Sequence, residues 1–346
     1  MIEIKKHCIA HSKTISDALL QLNELGQDLT LFVIKDDALV GTVTDGDIRR
    51  GLLRRISLDD NLESVMFASF SSICEGKYTL HDIERIRNRG VNILPVVDER
   101  NRILKLLNLA ELKTILPIDV VIMAGGEGRR LRPLTESTPK PLLEVGHKPI
   151  LEHNIDRLIN FGVENFWISI RYLGEKIEAY FNDGSKKGVK IAYIKEDEPL
   201  GTIGALSKIR EFSNTHVLIS NSDILTGIDY HDFYSDFLTT DADLSVVTIP
   251  YTVNVPYGVL ETSNGHIVSF KEKPTYTYHS NGGIYLVKKQ MLEYIPQGFF
   301  NATDLMELLI NKGHKVTSYS LRNYWLDIGN PEDFRKANED IKHLKF

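Results

Sequence analysis

Two cysteines, Cys8 and Cys74, are all that 346 residues contain. They stand apart, with no Cys-x-x-Cys spacing and no histidine-rich neighbour, which excludes a disulfide framework and a thiolate zinc site and predicts buried free thiols. Long apolar runs are missing as well. No window approaches the roughly 18 uncharged apolar residues that span a bilayer, and the opening "MIEIKKHCIA" lacks the sustained apolar core of a signal peptide. The expectation is a cytoplasmic protein with no membrane partner. Positive charge is not in excess either: the formal charge of −6 leaves no broad basic face for nucleic acid. What remains is ordinary globular material, 42% hydrophobic and 25% charged, in a length that suits two domains or one large α/β unit.

The first 115 or so residues repeat approximately. "TISDALLQLNELG" reads as an amphipathic helix with a Thr start and a Gly stop, followed by the strand "TLFVIKDD" and by "ALVGTVTDGDIRRGLL", a strand running into a helix. In the second copy "YTLHDIERIRNRG" matches the helix, "NILPVVDE" the strand, and "RILKLLNLAELKTIL" the strand into helix. Two α+β lobes, about 1–58 and 59–115, are expected to bury their sheet faces against each other. This duplication resembles a cystathionine-β-synthase-type (CBS) domain pair, a module that commonly binds an adenine or guanine nucleotide and regulates an attached enzyme. The resemblance implies that Gly41, Thr44 and Asp47 serve a nucleotide's phosphate and ribose. The second copy has Asn108 and Glu111 where Thr and Asp would stand, so one competent site is expected. A plain packing, dimerising or tethering role for the pair stays open beside the regulatory one.

Pro117 is expected to end the last helix of this region, and "DVVIMA" to begin a second domain, 117–346, as a fully buried strand. Helix near 149–162, strand "NFWISI", helix "GEKIEAYF", strand "KIAYI", helix "TIGALSKI" and strand "THVLIS" follow in alternation. Such βαβα syntax predicts a Rossmann-like, mostly parallel α/β sheet with helices on both faces. The turn after its first strand lies at the carboxyl edge, where such sheets bind ligands.

That turn reads "VIMAGGEGRRLRPLTESTPKP". A dinucleotide fingerprint needs a third Gly where Leu131 stands, and a P-loop needs Gly-Lys-Ser/Thr, which is absent. A glycine turn exposing backbone N–H groups to phosphate and base, with Arg130 and Lys140 folding over a polyphosphate, fits the residues. The stretch resembles the signature of the sugar-1-phosphate nucleotidyltransferases, Gly-Gly-x-Gly-x-Arg-Leu with Pro-Lys-Pro downstream. The likeness continues in order through "EDEPLGTIGAL", "NSD", "PYGV", "KEKP", "NGGIY" and "WLDIGNPED".

The resemblance implies nucleotidyl transfer from a nucleoside triphosphate to a sugar 1-phosphate, with Mg²⁺ as cofactor. Arg130 and Lys140 would neutralise the triphosphate and the leaving pyrophosphate, with Arg129 and Arg132 as weaker candidates. Ala124, Gly125, Gly126, Gly128, Glu196, Pro199, Gly201 and Thr202 would bind the nucleotide. Asp223 and Asp327, each following a short apolar strand, would hold the metal. Lys273 would hold the sugar phosphate, while Glu272, Asn281 and the backbone near Gly258 and Gly283 address hydroxyls. This chain departs from the family pattern with Asn221-Ser222-Asp223 for Asn-Gly-Asp, Asn281-Gly282-Gly283 for Asn-Ala-Gly, and Arg129 for Ser or Thr.

Glu196 stands where relatives using uracil or thymine typically carry Gln. A carboxylate accepts two hydrogen bonds and suits the guanine N1–H and N2–H₂ edge, so GTP is the expected donor. The pairing of a CBS module with this domain resembles guanylyltransferases of bacterial legionaminic acid synthesis. It implies α-D-glucosamine 1-phosphate as acceptor, with Glu272 or Glu261 near its amino group. Mannose, heptose and glucose 1-phosphates stay open, as do UTP and dTTP. A nucleotide-binding regulator without catalysis is the reading from another class. The paired module implies a homo-oligomer, and no hexapeptide-repeat acyltransferase region is expected after "WLDIGNPED".

Overall fold

A computed structural model describes residues 2–26 and 29–344. The chain forms two compact units, Met1–Pro117 and Ile118–Phe346. In the first, β1 (Cys8–Ala10), a helix (Ile15–Leu25), β2 (Thr30–Lys35), β3 (Ala38–Thr44) and a helix (Asp45–Leu53) make one repeat. A second repeat has β4 (Ile73–Cys74), a helix (Leu80–Asn88), β5 (Ile93–Val97) and β6 (Ile103–Asn108). Each sheet pairs its first strand parallel and its third antiparallel to the middle one. The opening strands are too short for any alternation to betray them in sequence. Phe32 and Leu39 of one sheet cluster with Ile93, Val97 and Leu106 of the other, the face-to-face burial expected of two lobes. Cys8 and Cys74 are free but half-buried, less enclosed than expected.

The helix expected after β6 does not form. Asn108 turns the chain instead: its side-chain oxygen accepts from Ala110 N at 3.0 Å, and the N–H groups of Glu111 and Leu112 reach only Asn108 O. Pro117 then disfavours helical geometry at Leu116, leaving too few residues to propagate a turn.

The second unit contains β7 (Ile118–Ala124), β8 (Glu144–Val145), β9 (Lys148–Pro149), β10 (Asn165–Ile170), β11 (Lys190–Lys195), β12 (His216–Asn221) and β13 (Ile224–Thr226). Then come β14 (Leu244–Asn254), β15 (Val259–Ser263), β16 (His266–Lys271), β17 (Thr275–Lys288), β18 (Val316–Ser320) and β19 (Trp325–Asp327). Seven of them form one sheet in the order β11-β10-β7-β12-β17-β14-β18. Only β17 runs against its neighbours, so the sheet is mixed and mostly parallel. Alternate residues Val217 and Ile219 of β12 and Val246 of β14 pack with Leu305 and Leu309 of the helix Ala302–Asn311, the period-2 and period-3.6 faces meeting in one core.

"TIGALSKI" is not the α-helix expected but a short 3₁₀ turn, Gly204–Lys208. The N–H groups of Ile203 and Gly204 both donate to Phe300 O at 3.1 Å, so the donors a helix start would offer are committed to another segment. Beyond the core, the far half of β14 pairs with the near half of β17 as a largely exposed ribbon, from which the hairpin β15–β16 continues.

Candidate active site

The glycine turn leaves β7 at the carboxyl edge and folds back on the loop after it. Gly128 has φ 60°, and a Cβ there would lie 3.0 Å from both Lys140 Cβ and Thr135 Cγ2. Thr135 Oγ1 donates to Gly128 O at 2.9 Å. The close packing presses the buried stem of Lys140 under the turn, and its ammonium donates to Asp223 Oδ2.

Asp223 lies between β12 and β13, and Asp327 ends β19. β13 and β19 pair antiparallel with Ile224 opposite Asp327, and Ile328 N donates to Asp223 O at 3.0 Å. Two carboxylates distant in sequence are thereby fixed on neighbouring strand ends. Burial first, and then the charge of Asp223, push the Asp327 carboxyl above the usual range, while Lys140 and Arg130 pull the other way. The Arg130 guanidinium rests against Gly329, where a Cβ would stand 3.3 Å from Nη2. Arg130, Lys140, Asp223 and Asp327 thus converge. Asp223 Oδ1 is buried and has no hydrogen-bond partner.

That orphaned oxygen tests the expected Mg²⁺ directly. A hard cation takes carboxylate oxygens and completes its shell with phosphate and water. Among the described residues no group of three or more His, Cys, Asp or Glu gathers as a metal cage. A pair of carboxylates with one unsatisfied buried oxygen fits an ion shared with a polyphosphate.

Asp223 lines a cavity of about 280 Å³ whose wall also includes Gly125, Gly126, Lys140, Glu196, Pro199, Gly201 and Thr202. On that wall the Glu196 carboxylate accepts from the Ser169 hydroxyl and, at 3.2 Å, from Leu200 N. A Cβ on Gly125 would come 2.9 Å from Glu196 Oε1 and would have to push that carboxylate aside. Ala124 sits just behind, buried at the end of β7. Arg129 is exposed and drawn to Glu127 at 2.6 Å, with Arg171 on the same carboxylate at 3.6 Å; Arg132 is exposed.

The sugar-side residues divide. Asn281 Oδ1 accepts from Gly283 N (2.9 Å) and Tyr285 OH (3.0 Å), and a Cβ on Gly283 would stand 2.7 Å from Asn221 Nδ2 on the cavity wall. Trp325 Nε1 donates to Gly282 O at 3.0 Å, tying this stretch of β17 to β19. Gly258, Glu272 and Lys273 lie instead on the exposed ribbon, Gly258 against the Phe270 ring, and none of them lines the cavity. Glu261 is engaged by Ser269 and Lys271.

Sequence reasoning passed over Arg171 and Phe299 on the cavity wall, and met Ser222 only as a departure from the family pattern. The carboxyl-edge rule could have found Arg171, which directly follows β10. Phe299 carried no motif.

In the N-terminal unit Thr44 and Asp47 form a reciprocal cap on the helix they begin: Thr44 N and Oγ1 both donate to Asp47 Oδ2, at 2.9 and 2.6 Å. Asp47 also lines a separate cavity of about 300 Å³ with Arg50, Arg54 and Met66. Gly41 stands behind Met66, where a Cβ would lie 3.0 Å from Sδ.

The family profile described as nucleotidyl transferase matches residues 119–343. The chain belongs to the nucleotidyl transferase family. Its C-terminal unit is a sugar-1-phosphate nucleotidyltransferase domain, and residues 1–118 lie outside the match. The family member is 32% identical over 231 residues to a mannose-1-phosphate guanylyltransferase of Mycobacterium tuberculosis, which covers 65% of this chain and 64% of that protein. It is 32% identical over 234 residues to the D-glycero-alpha-D-manno-heptose 1-phosphate guanylyltransferase of Aneurinibacillus thermoaerophilus, covering 65% of this chain and 99% of that one. The structure of HddC from Yersinia pseudotuberculosis complexed with GMP-PN superposes with a TM-score of 0.50 at 29% identity, over 65% of this chain and 99% of HddC. Among the described residues no helix is long and apolar enough to cross a membrane.

Proposed function

We propose that the C-terminal domain joins a nucleoside triphosphate to a sugar 1-phosphate and releases pyrophosphate, with GTP as donor and a hexose or heptose 1-phosphate as acceptor. A phosphate oxygen of the sugar 1-phosphate attacks the α-phosphorus. The new P–O bond forms as the bond from the α-phosphorus to the bridging oxygen breaks, and the electron pair leaves on pyrophosphate. The attacking oxygen is already anionic at neutral pH, so no side chain has to remove a proton.

The barrier is electrostatic, because two polyanions meet and charge grows on the departing oxygen. Lys140, fixed beneath the glycine turn, and Arg130 bring the compensating positive charge, while the N–H groups of Gly125 and Gly126 face the triphosphate. Asp223 and Asp327 would hold Mg²⁺, which supplies further charge compensation on phosphate oxygens when bound. Lys273 and Glu272 reach the acceptor if the ribbon bends towards the cavity. The observation that carries the reading is Asp223 Oδ1, buried without a partner beside Lys140 and the strand end of Asp327.

GTP is favoured by the two guanylyltransferase relatives and by Glu196. Each of its carboxylate oxygens already accepts one protein hydrogen bond, and each keeps a lone pair for the guanine edge. A uridylyltransferase of Synechocystis is 31% identical over 255 residues, so family likeness alone does not choose the base. The named acceptors of the relatives, mannose, heptose and glucose 1-phosphates, support a neutral sugar over glucosamine 1-phosphate. Pyrophosphate release from GTP, UTP, dTTP, CTP and ATP, each against mannose, heptose, glucose and glucosamine 1-phosphates, tests both choices. UTP or dTTP far exceeding GTP would remove the Glu196 argument, and no release from any pair would remove the enzyme.

For the N-terminal unit the proposal is a CBS pair in a cytoplasmic homo-oligomer, with a regulatory nucleotide at the Asp47 cavity. Its support is the repeated three-stranded architecture and the two arginines facing that cavity.

A further inference from the structure

We infer that Phe299 is the stacking surface for the nucleobase, an inference that rests on the cavity's being the triphosphate site. Phe299 is 64% exposed, yet it lines the same cavity as Glu196. A single exposed aromatic is ordinary on a protein surface; one on a cavity wall, carried by a segment locked to a second loop, is not. The lock is extensive. Phe300 N donates to Leu200 O at 3.0 Å, Ile203 and Gly204 donate back to Phe300 O, Thr202 N donates to Asn301 Oδ1 at 3.2 Å, and Ala302 N donates to Thr202 Oγ1 at 2.8 Å. Gly201 and Gly204 permit this contact, since a Cβ on either would fall 2.6 Å from Phe300 O and 2.2 Å from Gly298 O respectively. The segment that carries Phe299 and the loop after Glu196 are therefore one bonded block, to which Leu200 N ties the Glu196 carboxylate.

A nucleobase matches this block in both of its chemistries. It has a flat π-face, which the Phe299 ring can cover, and a polar edge, which Glu196 can read; Pro199 and Leu200 complete an apolar wall. Lys140, on the wall of the same cavity and paired with Asp223, supplies positive charge for phosphate. Because every base offers a π-face, Phe299 contributes affinity for the base as such, with the larger purine overlapping more, while Glu196 reads the edge.

The test is equilibrium binding to the full chain, in Mg²⁺, of the tightest of GTP, ATP, UTP and dTTP, with inorganic tripolyphosphate as the probe that has phosphates and no base. Phe299→Ala should weaken the nucleotide roughly tenfold, as loss of one base–aromatic stack does, and leave tripolyphosphate unchanged. Phe299→Trp should keep wild-type binding. In turnover, Phe299→Ala should raise KM for the triphosphate while KM for the sugar 1-phosphate stays put. Equal nucleotide binding by wild type and Phe299→Ala, equal weakening of both probes, or a wild type that binds the nucleotide no better than tripolyphosphate overturns the inference. If no sugar 1-phosphate is turned over, the enzymatic reading falls separately, and the binding comparison still decides the role of Phe299.

Discussion

Asp47 in the N-terminal unit and Asp223 in the C-terminal one both stand just past a strand, in short motifs that read as ligand-binding, and the fold employs them differently. Asp47 is satisfied by its own neighbours: it receives the N–H and the hydroxyl of Thr44 and pairs with Arg50. The same reciprocal cap occurs at Thr14 with Asp17 and at Thr79 with Asp82, at helices with no ligand-binding claim. Asp223 gives one oxygen to Lys140 and keeps the other buried with nothing to accept from. A buried polar atom without a partner costs free energy, so such an atom persists where something else completes it. A Thr-x-x-Asp motif can be complete as a helix cap; an orphaned carboxylate oxygen beside a second aspartate cannot be complete alone.

The sharpest way to break that contrast is to remove what completes Asp223. Chelation of divalent ions should take turnover to background and Mg²⁺ should restore it, and Asp223→Asn should lower kcat by roughly 10²-fold or more, the scale of losing one electrostatic stabiliser. The thermal midpoint of that variant should move little, because Asn keeps an acceptor for Lys140. Asp327→Asn should lose less than Asp223→Asn. Full activity in EDTA would end the comparison.

The caps give a smaller effect and a cleaner control. Thr14→Ala, Thr44→Ala and Thr79→Ala should each cost about 1 kcal/mol in denaturant unfolding. Equal costs with unchanged nucleotide binding to the N-terminal unit would reduce Thr44 and Asp47 to a cap. Loss of binding in Thr44→Ala alone would give them a second role.

The smallest effect is in acid. The Thr14 N–H chiefly, and the Thr79 hydroxyl chiefly, hold the carboxyls of Asp17 and Asp82 below the usual carboxylate range. A depressed folded value means their contribution is present above the unfolded pKa of about 3.9 and fades as pH falls through the folded value. Replacing both with Asn should lower stability slightly at neutral pH, where that contribution is fully present, and flatten the further loss of helical circular dichroism below about pH 4.

Periodicity made most of the framework legible: the helices Ile15–Leu25, Leu80–Asn88, Ile150–Asn160 and Gly174–Phe181 and the strands β7, β10, β11 and β12 lie where hydrophobic spacing and caps put them. It failed where non-local bonds overruled local preference. "TIGALSKI" gave its N–H groups to Phe300, and the segment after β6 was diverted by Asn108 and Pro117. The glycine turn was readable because a special backbone needs a special residue. Phe299 was not, because its position depends on backbone bonds to a loop distant in sequence, which no local pattern encodes.

The sequence by itself determined most of the kinds of element, the repeat, and the residue types around the glycine turn, since helix caps, alternation and left-handed backbone are properties of neighbours along the chain. Only the tertiary structure decided that Asp223 and Asp327 share one strand-paired edge, that Lys140 takes just one carboxylate oxygen, and that Gly258, Glu272 and Lys273 stand off on an exposed ribbon. Those outcomes are set by sheet register and by close approach between distant segments, which depend on the whole fold at once.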